Sequence, residues 1–167
     1  MKVNRLVLMG VTGSGKTTLG EALNRDAGYA FVDADDLHTE ANKRKMSAGQ
    51  ALTDADRMPW LEAVARQLRQ WRENGAAGVL ACSALKRSYR DLLRARGGSF
   101  GLVYLQSTPT LSRRRLEGRH NHFMPVTLVD SQFATLEEPV PDEHVLVLDA
   151  AAPQHDNLAA ILTADWS

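Results

Sequence analysis

Short apolar runs alternate with stretches of helical spacing along the chain. Leu6-Val7-Leu8-Met9 is apolar without interruption and leads into glycines, the pattern of a strand buried on both faces. From Lys16 to about Arg25, residues Leu19, Ala22 and Leu23 fall at helical spacing, and Gly28 is the stop. Phe31-Val32 predicts a second strand ending at Asp33, and the polar stretch that follows, to Asp56, carries helix formers broken by Gly49. Thr53 or Asp54 caps the next helix, whose inward stripe is Leu61, Val64, Ala65, Leu68 and Trp71, ended by Asn74-Gly75.

The second half repeats the alternation. Val79-Leu80-Ala81 reads as a third strand, Tyr89 to Arg96 as a helix closed by Gly97-Gly98, and Leu102-Val103-Tyr104-Leu105 as a fourth strand. A basic helix follows from Thr110. Pro125 opens a turn into a helix over 126–136, Val145-Leu146-Val147-Leu148 is the fifth strand, and Leu158 to Leu162 lies on a last helix. Such alternation predicts an α/β three-layer sandwich with a mostly parallel five-stranded sheet, wrapped on both faces.

At 167 residues, 44% of them hydrophobic, the chain suits one domain spanning 1–167. Lys and Arg total 20, matched by 20 Asp and Glu, so no global positive field favours nucleic acid or an anionic membrane. An anion site must be local. The single cysteine, Cys82, forms no internal disulfide and points to a reducing cytoplasm, and the apolar stretch near the N-terminus is too short for a signal peptide or a membrane span.

The strongest local signal is Gly10-Val11-Thr12-Gly13-Ser14-Gly15-Lys16-Thr17, between the first strand and the first helix. Its spacing matches Gly-x-x-x-x-Gly-Lys-[Ser/Thr], in which glycines let backbone N–H groups converge on phosphate oxygens, the lysine reaches the β and γ phosphates, and the hydroxyl ligates Mg²⁺. In that context Gly10, Gly13, Ser14, Gly15, Lys16, Thr17 and Thr18 are the phosphate-side residues. The third strand ends in Ala81-Cys82-Ser83 without the acid that ATPases of the Walker-B type use, and no Asn-Lys-x-Asp for guanine occurs. Acids stand instead at the end of strand two, Asp33 and Asp35. Two apart on an extended chain, both would face the cleft, one beside the Thr17 metal site and the other toward an acceptor hydroxyl.

Arg113, Arg114, Arg115 and Arg119 cluster after strand four, with Arg115 and Arg119 on one helix face, suited to a closing segment that brings cations to a transferring phosphoryl group. Lys45, Arg57, Lys86, Arg87 and Arg90 lie in the connections after strands two and three, where open α/β sheets bind ligands. ATP has no obvious use for them, so they point to a second, anionic substrate whose carboxylate an arginine forks onto. The histidines show no metal-ligand spacing. Trp60 either anchors its helix in the core or floors the acceptor pocket, and Cys82 is either a small strand-end residue or part of that pocket's lining.

Further blocks carry a resemblance: Asp33-x-Asp35-x-Leu37-His38, Asn42-x-x-Lys45-Met46-x-x-Gly49, Leu52-x-Asp54-x-Asp56-Arg57-x-Pro59-Trp60-Leu61, Cys82-Ser83-Ala84-Leu85-Lys86-x-x-Tyr89-Arg90-Asp91, His122-Phe123-Met124-Pro125 and Ser131-Gln132-Phe133-x-Thr135-Leu136-Glu137. Over nearly the whole chain the sequence resembles the gluconokinases, small P-loop kinases related to shikimate kinase within the nucleoside-monophosphate-kinase-like fold. The resemblance implies transfer of phosphate from ATP, with Mg²⁺, to the 6-hydroxyl of D-gluconate in sugar-acid catabolism, by a cytoplasmic enzyme commonly found as a homodimer. It also implies a lid at approximately 115–125, with Arg115 near adenine and Arg119 near the phosphates.

On this basis Lys16, Asp35 and Arg119 carry the chemistry, Thr17 and Asp33 hold the metal, and Asp35, His38, Arg57, Ser83, Lys86 and Arg90 hold the acceptor. Gln50-Ala51 departs from the family's more usual pair before Leu52, and His120-Asn121 occupies the lid tip. The readings left open are another small-metabolite kinase of this fold, acting on shikimate or a nucleotide, and a non-catalytic nucleotide-binding module.

Overall fold

The structure is a computed structural model and describes residues 4–118 and 126–167. Five parallel strands form one sheet in the order β2-β3-β1-β4-β5: β1 Arg5–Met9, β2 Ala30–Asp33, β3 Gly78–Ala81, β4 Gly101–Gln106 and β5 Val145–Asp149. From β1 the chain passes to β2 at one edge, returns to lay β3 between β2 and β1, then crosses to the other side of β1 for β4. That reversal puts a crevice at the C-terminal end of β1, where the glycine loop begins.

Alternation along the strands divides the core. Val7 and Met9 of β1 face one side of the sheet with Leu80, Leu102 and Tyr104. There they meet helices α3 (Asp54–Glu73) and α4 (Arg87–Gly97). Leu6 and Leu8 face the other side with Val79, Val103 and Leu105, against Leu19 and Leu23 of α1 (Lys16–Ala27) and Ile161 of α7 (Gln154–Thr163). Burial on both faces explains why these strands read as continuous apolar runs. Each fully buried leucine of this kind contributes about 1.5–3 kcal/mol.

Helix α3 shows how local signals and packing agree. Thr53 is its cap: the Thr53 hydroxyl accepts from Asp56 N–H at 3.1 Å and the Asp56 carboxylate accepts from Thr53 N–H at 2.9 Å, a reciprocal capping box. The expected stripe, together with Trp60, is buried. Trp71 seats over Gly78, where an added Cβ would lie 2.2 Å from the indole, so β3 must open on glycine. Arg115 lies on α5 (Pro109–Glu117), capped by Thr108, while Pro125 and most of the expected lid lie outside the described residues. The helix expected after Pro125 is α6, Leu128–Thr135.

The polar stretch after β2 holds two short elements, a 3₁₀ turn at Ala34–Leu37 and α2 at Glu40–Ser47. The turn changes one expectation. Asp33 and Asp35 do not sit two apart on an extended chain, because the Asp33 side chain caps the turn by accepting Asp35 N–H at 3.0 Å. Their carboxylates therefore diverge in role.

Candidate active site

The glycine loop leaves β1 with positive φ at Gly10 (154°), Gly13 (77°) and Gly15 (100°), and the last two are conformations that side chains resist. Gly13 is also a close approach, since a Cβ there would lie 2.6 Å from the Ser112 carbonyl. Gly15 stands at the N-cap of α1, yet no side chain caps the helix and its first turn holds no acid. The positive dipole end of the helix is thus set to attract an external anion. Among the described residues the buried hydroxyls of Thr12 and Ser14 have no partner, a second mark of a site built for phosphate oxygens.

Lys16 folds its ammonium onto the loop, donating to the Gly10 and Val11 carbonyls at 2.8 and 3.0 Å. Thr17 donates its hydroxyl to Asp33 at 2.7 Å, so a hydroxyl and a carboxylate oxygen stand together as hard donors beside the loop. Magnesium takes such donors and fills its remaining positions with phosphate and water, so the pair fits the ion although no larger cluster of metal-ligating side chains occurs among the described residues.

Beyond the loop lie two pockets. One, of about 310 Å³, runs past Ser14, Gly15 and Thr18 along the apolar wall of Leu19 and Leu105 to Ala150 and Asn157. Arg115 spans it, donating to Ser14 O at 2.9 Å and Ala150 O at 2.6 Å. The second pocket lies between the 3₁₀ turn, α2, α3 and α6, and contains Asp35, His38, Arg57, Ser83 and Gln132. Burial first, then the neighbouring charge of Asp33, raises the Asp35 carboxyl to about 6, with Lys16 partly opposing the rise. A carboxyl tuned toward neutral pH inside a pocket suits proton transfer.

Trp60 fulfils both of its expected roles. Its indole is 1% exposed and donates to Ala34 O at 2.7 Å, while it also lines the pocket. His38 stacks on it at 4.3 Å, with 12° between the rings. Burial, and then the charge of Arg57, lowers the His38 imidazole to about 4, so it is neutral at physiological pH. The Arg57 guanidinium donates to the Tyr89 hydroxyl at 2.9 Å and lies 5.6 Å from the ring centroid; the hydroxyl in turn donates to Asp54.

Not every expected residue is in the pocket. Arg90 is a correction: it is 0% exposed, forks onto Glu143 at 2.7 and 3.1 Å and spends its remaining contact on Ala84 O at 2.9 Å, so it is not presented to an acceptor. Lys86 stands outside the lining, bonded to Asp54 at 2.9 Å. Cys82 is wholly buried, its thiol pushed up to about 12, and does not line the pocket. Arg119 lies outside the described residues.

Gln132 is a pocket residue that sequence reasoning gave no role. Its side-chain amide oxygen Oε1 accepts Thr12 N–H at 2.7 Å, tying α6 to the phosphate loop. The block Ser131-Gln132-Phe133 was the available signal, but its contact spans 120 residues and no periodicity reveals it.

Comparison with known proteins gives this geometry a family. A family model described as an AAA domain matches residues 6–139, the part that carries the phosphate loop. A gluconokinase of Gluconobacter oxydans is 47% identical over 146 residues, covering 87% of this chain and 82% of that protein. The chain belongs to the gluconokinase family. Its fold is shared with a sugar kinase of a Janibacter species (TM-score 0.90, 39% identity, 98% of this chain and 94% of that one). A gluconokinase structure from Sinorhizobium meliloti matches with TM-score 0.81 and 41% identity, over 93% and 87% of the two chains. The gluconokinase fold therefore includes the α/β sandwich with a five-stranded parallel sheet found here.

Proposed function

We propose that this protein transfers the γ-phosphoryl group of ATP, bound with Mg²⁺, to the 6-hydroxyl of D-gluconate, giving 6-phosphogluconate and ADP. The observation that carries this reading is the acceptor pocket: Asp35 and Arg57 are the only residues of formal charge in its described lining. A carboxylate there serves the hydroxyl and a guanidinium serves the acid.

Phosphoryl transfer passes through a loose transition state, so positioning and neutralisation of charge dominate. The acceptor oxygen bonds to the γ phosphorus as the bond to the bridging β–γ oxygen breaks. Its proton passes to Asp35, and the electrons of the broken bond leave with ADP. Lys16 and the N–H groups at the start of α1 take up charge on the phosphates. Thr17 and Asp33 are the residues that would hold Mg²⁺, which screens the phosphate charge when bound. Arg57 forks onto the carboxylate at the far end of the acceptor, and Ser83, Gln132 and neutral His38 are the polar groups for the hydroxyls between. Arg115 lies where the base of ATP is accommodated, and the family resemblance adds Arg119 as a cation on the phosphates.

An ADP-release assay with MgATP across gluconate, related sugar acids, shikimate and nucleoside monophosphates tests the reading. Turnover is expected to be highest on gluconate, with a product that 6-phosphogluconate dehydrogenase oxidises. Preference for shikimate or a nucleotide overturns the acceptor assignment, and tight ATP binding without turnover on any acceptor overturns the enzymatic reading itself. The reading extends to a homodimer in the cytoplasm, which sedimentation and cell fractionation check.

A further inference from the structure

Among the described residues two that are not glycine have positive φ, Ala84 at 44° and His144 at 53°. They stand at the two ends of one buried ion pair. Arg90 donates its Nη1–H to the Ala84 carbonyl at 2.9 Å and forks its other donors onto Glu143, the residue before His144. Both side chains of the pair are 1% exposed. Glu143 is itself held, its carboxylate accepting Val140 N–H at 3.0 Å and its carbonyl accepting from Arg94 at 3.2 Å.

A buried pair of this kind is a poor way to gain stability, because desolvation of both ions offsets their attraction. Left-handed backbone at two side-chain-bearing residues is likewise unfavourable and persists only where surrounding contacts impose it. What the two features share is the turn after β3. Ser83, which precedes Ala84, lines the acceptor pocket, and its carbonyl accepts Gly10 N–H at 3.3 Å at the root of the phosphate loop. Leu85, which follows, also lines the pocket and offers its carbonyl to Glu137 N–H at 2.7 Å.

We propose that the Arg90–Glu143 pair is a positioning device: it holds Ala84 in its left-handed conformation and thereby fixes Ser83 and Leu85 in the acceptor pocket and Ser83 against the phosphate loop. Arg90 and Glu143 act through the turn, without touching the substrate. The proposal rests on the reading of this pocket as the acceptor site.

Three variants test it: Arg90→Lys, which keeps the charge but loses the fork and the bond to Ala84; Glu143→Gln, which keeps the shape and removes the charge; and Arg90→Lys combined with Ala84→Gly. Arg90→Lys is expected to raise KM for gluconate about tenfold, on the order of the population penalty of one left-handed residue, with KM for ATP changed less than about twofold. The glycine at position 84 tolerates positive φ unaided, so the double variant should recover most of the acceptor KM. Glu143→Gln moves KM in the same direction and supplies the test if Arg90→Lys does not fold. Amide hydrogen exchange at Ala84 and Leu85 gives a readout that needs no turnover: faster in the single variants, restored in the double. Unchanged acceptor KM and exchange in the single variants, or a double variant no better than Arg90→Lys, overturns the proposal. If exchange responds while wild-type protein does not phosphorylate gluconate, the acceptor reading has failed and the positioning role stands.

Discussion

Asp35→Asn should abolish most turnover and yet make the fold more stable at neutral pH. The folded structure raises this carboxyl from 3.8 to about 6, chiefly by burial and by the adjacent charge of Asp33. A raised carboxyl means that the folded state prefers the protonated form. Its stabilising contribution is fully present below the unfolded value of 3.8 and is lost as pH rises through about 6. At pH 7.5 the ionised group therefore costs about 2–3 kcal/mol relative to a neutral side chain of the same shape. Urea unfolding at that pH should show Asp35→Asn more stable by about that amount, and at pH 4.5 the gain should shrink to about 1 kcal/mol. Loss of the proton acceptor should lower kcat by at least about a hundredfold. Opposite signs for stability and activity are the mark of a side chain kept for chemistry at the expense of folding. A variant no more stable than wild type at pH 7.5, or a gain of the same size at both pH values, refutes the reasoning.

Lys16→Ala should lose at least about a hundredfold in kcat, the loss of one strong charge contact to the transferring group, and steady-state kinetics with near wild-type turnover would sink the phosphate assignment. Arg57→Ala should chiefly raise KM for gluconate, by about tenfold or more, and an unchanged KM would show that another cation holds the carboxylate. His38 supplies a pH prediction of the opposite sign to Asp35. Its imidazole falls from 6.5 to about 4, so its contribution to stability is present above 6.5 and lost as pH falls through about 4. Replacing it by Gln should flatten the acid side of the unfolding profile by up to about 3 kcal/mol, and an acid limb identical to wild type would contradict this.

What could be read in the sequence is what is local. The glycine loop, the helix behind it and the capped α3 depend on spacings within a few residues, and the structure reproduces each. The acid pair was legible as chemistry but not as geometry, because a 3₁₀ turn held by the Asp33 side chain replaces extended backbone. Sheet order was not legible, since nothing in a strand's own residues says that the chain crosses β1 between β3 and β4. Arg90 and Gln132 were misread or passed over for the same reason. Their partners stand 53 and 120 residues away, and a basic or amide side chain looks alike in sequence whether it faces substrate or another part of the fold.

That distinction bears on acceptor choice. Five basic residues after strands two and three pointed to a second, anionic substrate, but carboxylates claim four of them: Asp56 takes Lys45, Asp54 takes Lys86, Asp142 takes Arg87 and Glu143 takes Arg90. Arg57 alone of the five lines the pocket, its nearest acid contact being Asp54 at 3.8 Å, while its hydrogen bond goes to the neutral Tyr89 hydroxyl. Within the described lining one guanidinium thus shares the pocket with the ionisable Asp35 and with neutral His38, which is buried and stacked on Trp60. One such fork matches a single carboxylate. A phosphate monoester carries nearly twice the charge at neutral pH and would meet Asp35 without a second cation from the described walls. The pairing of surplus cations elsewhere is therefore what turns a generally basic region into a pocket for a singly charged acid, and it favours a sugar acid over a nucleoside monophosphate on electrostatic grounds independent of the family.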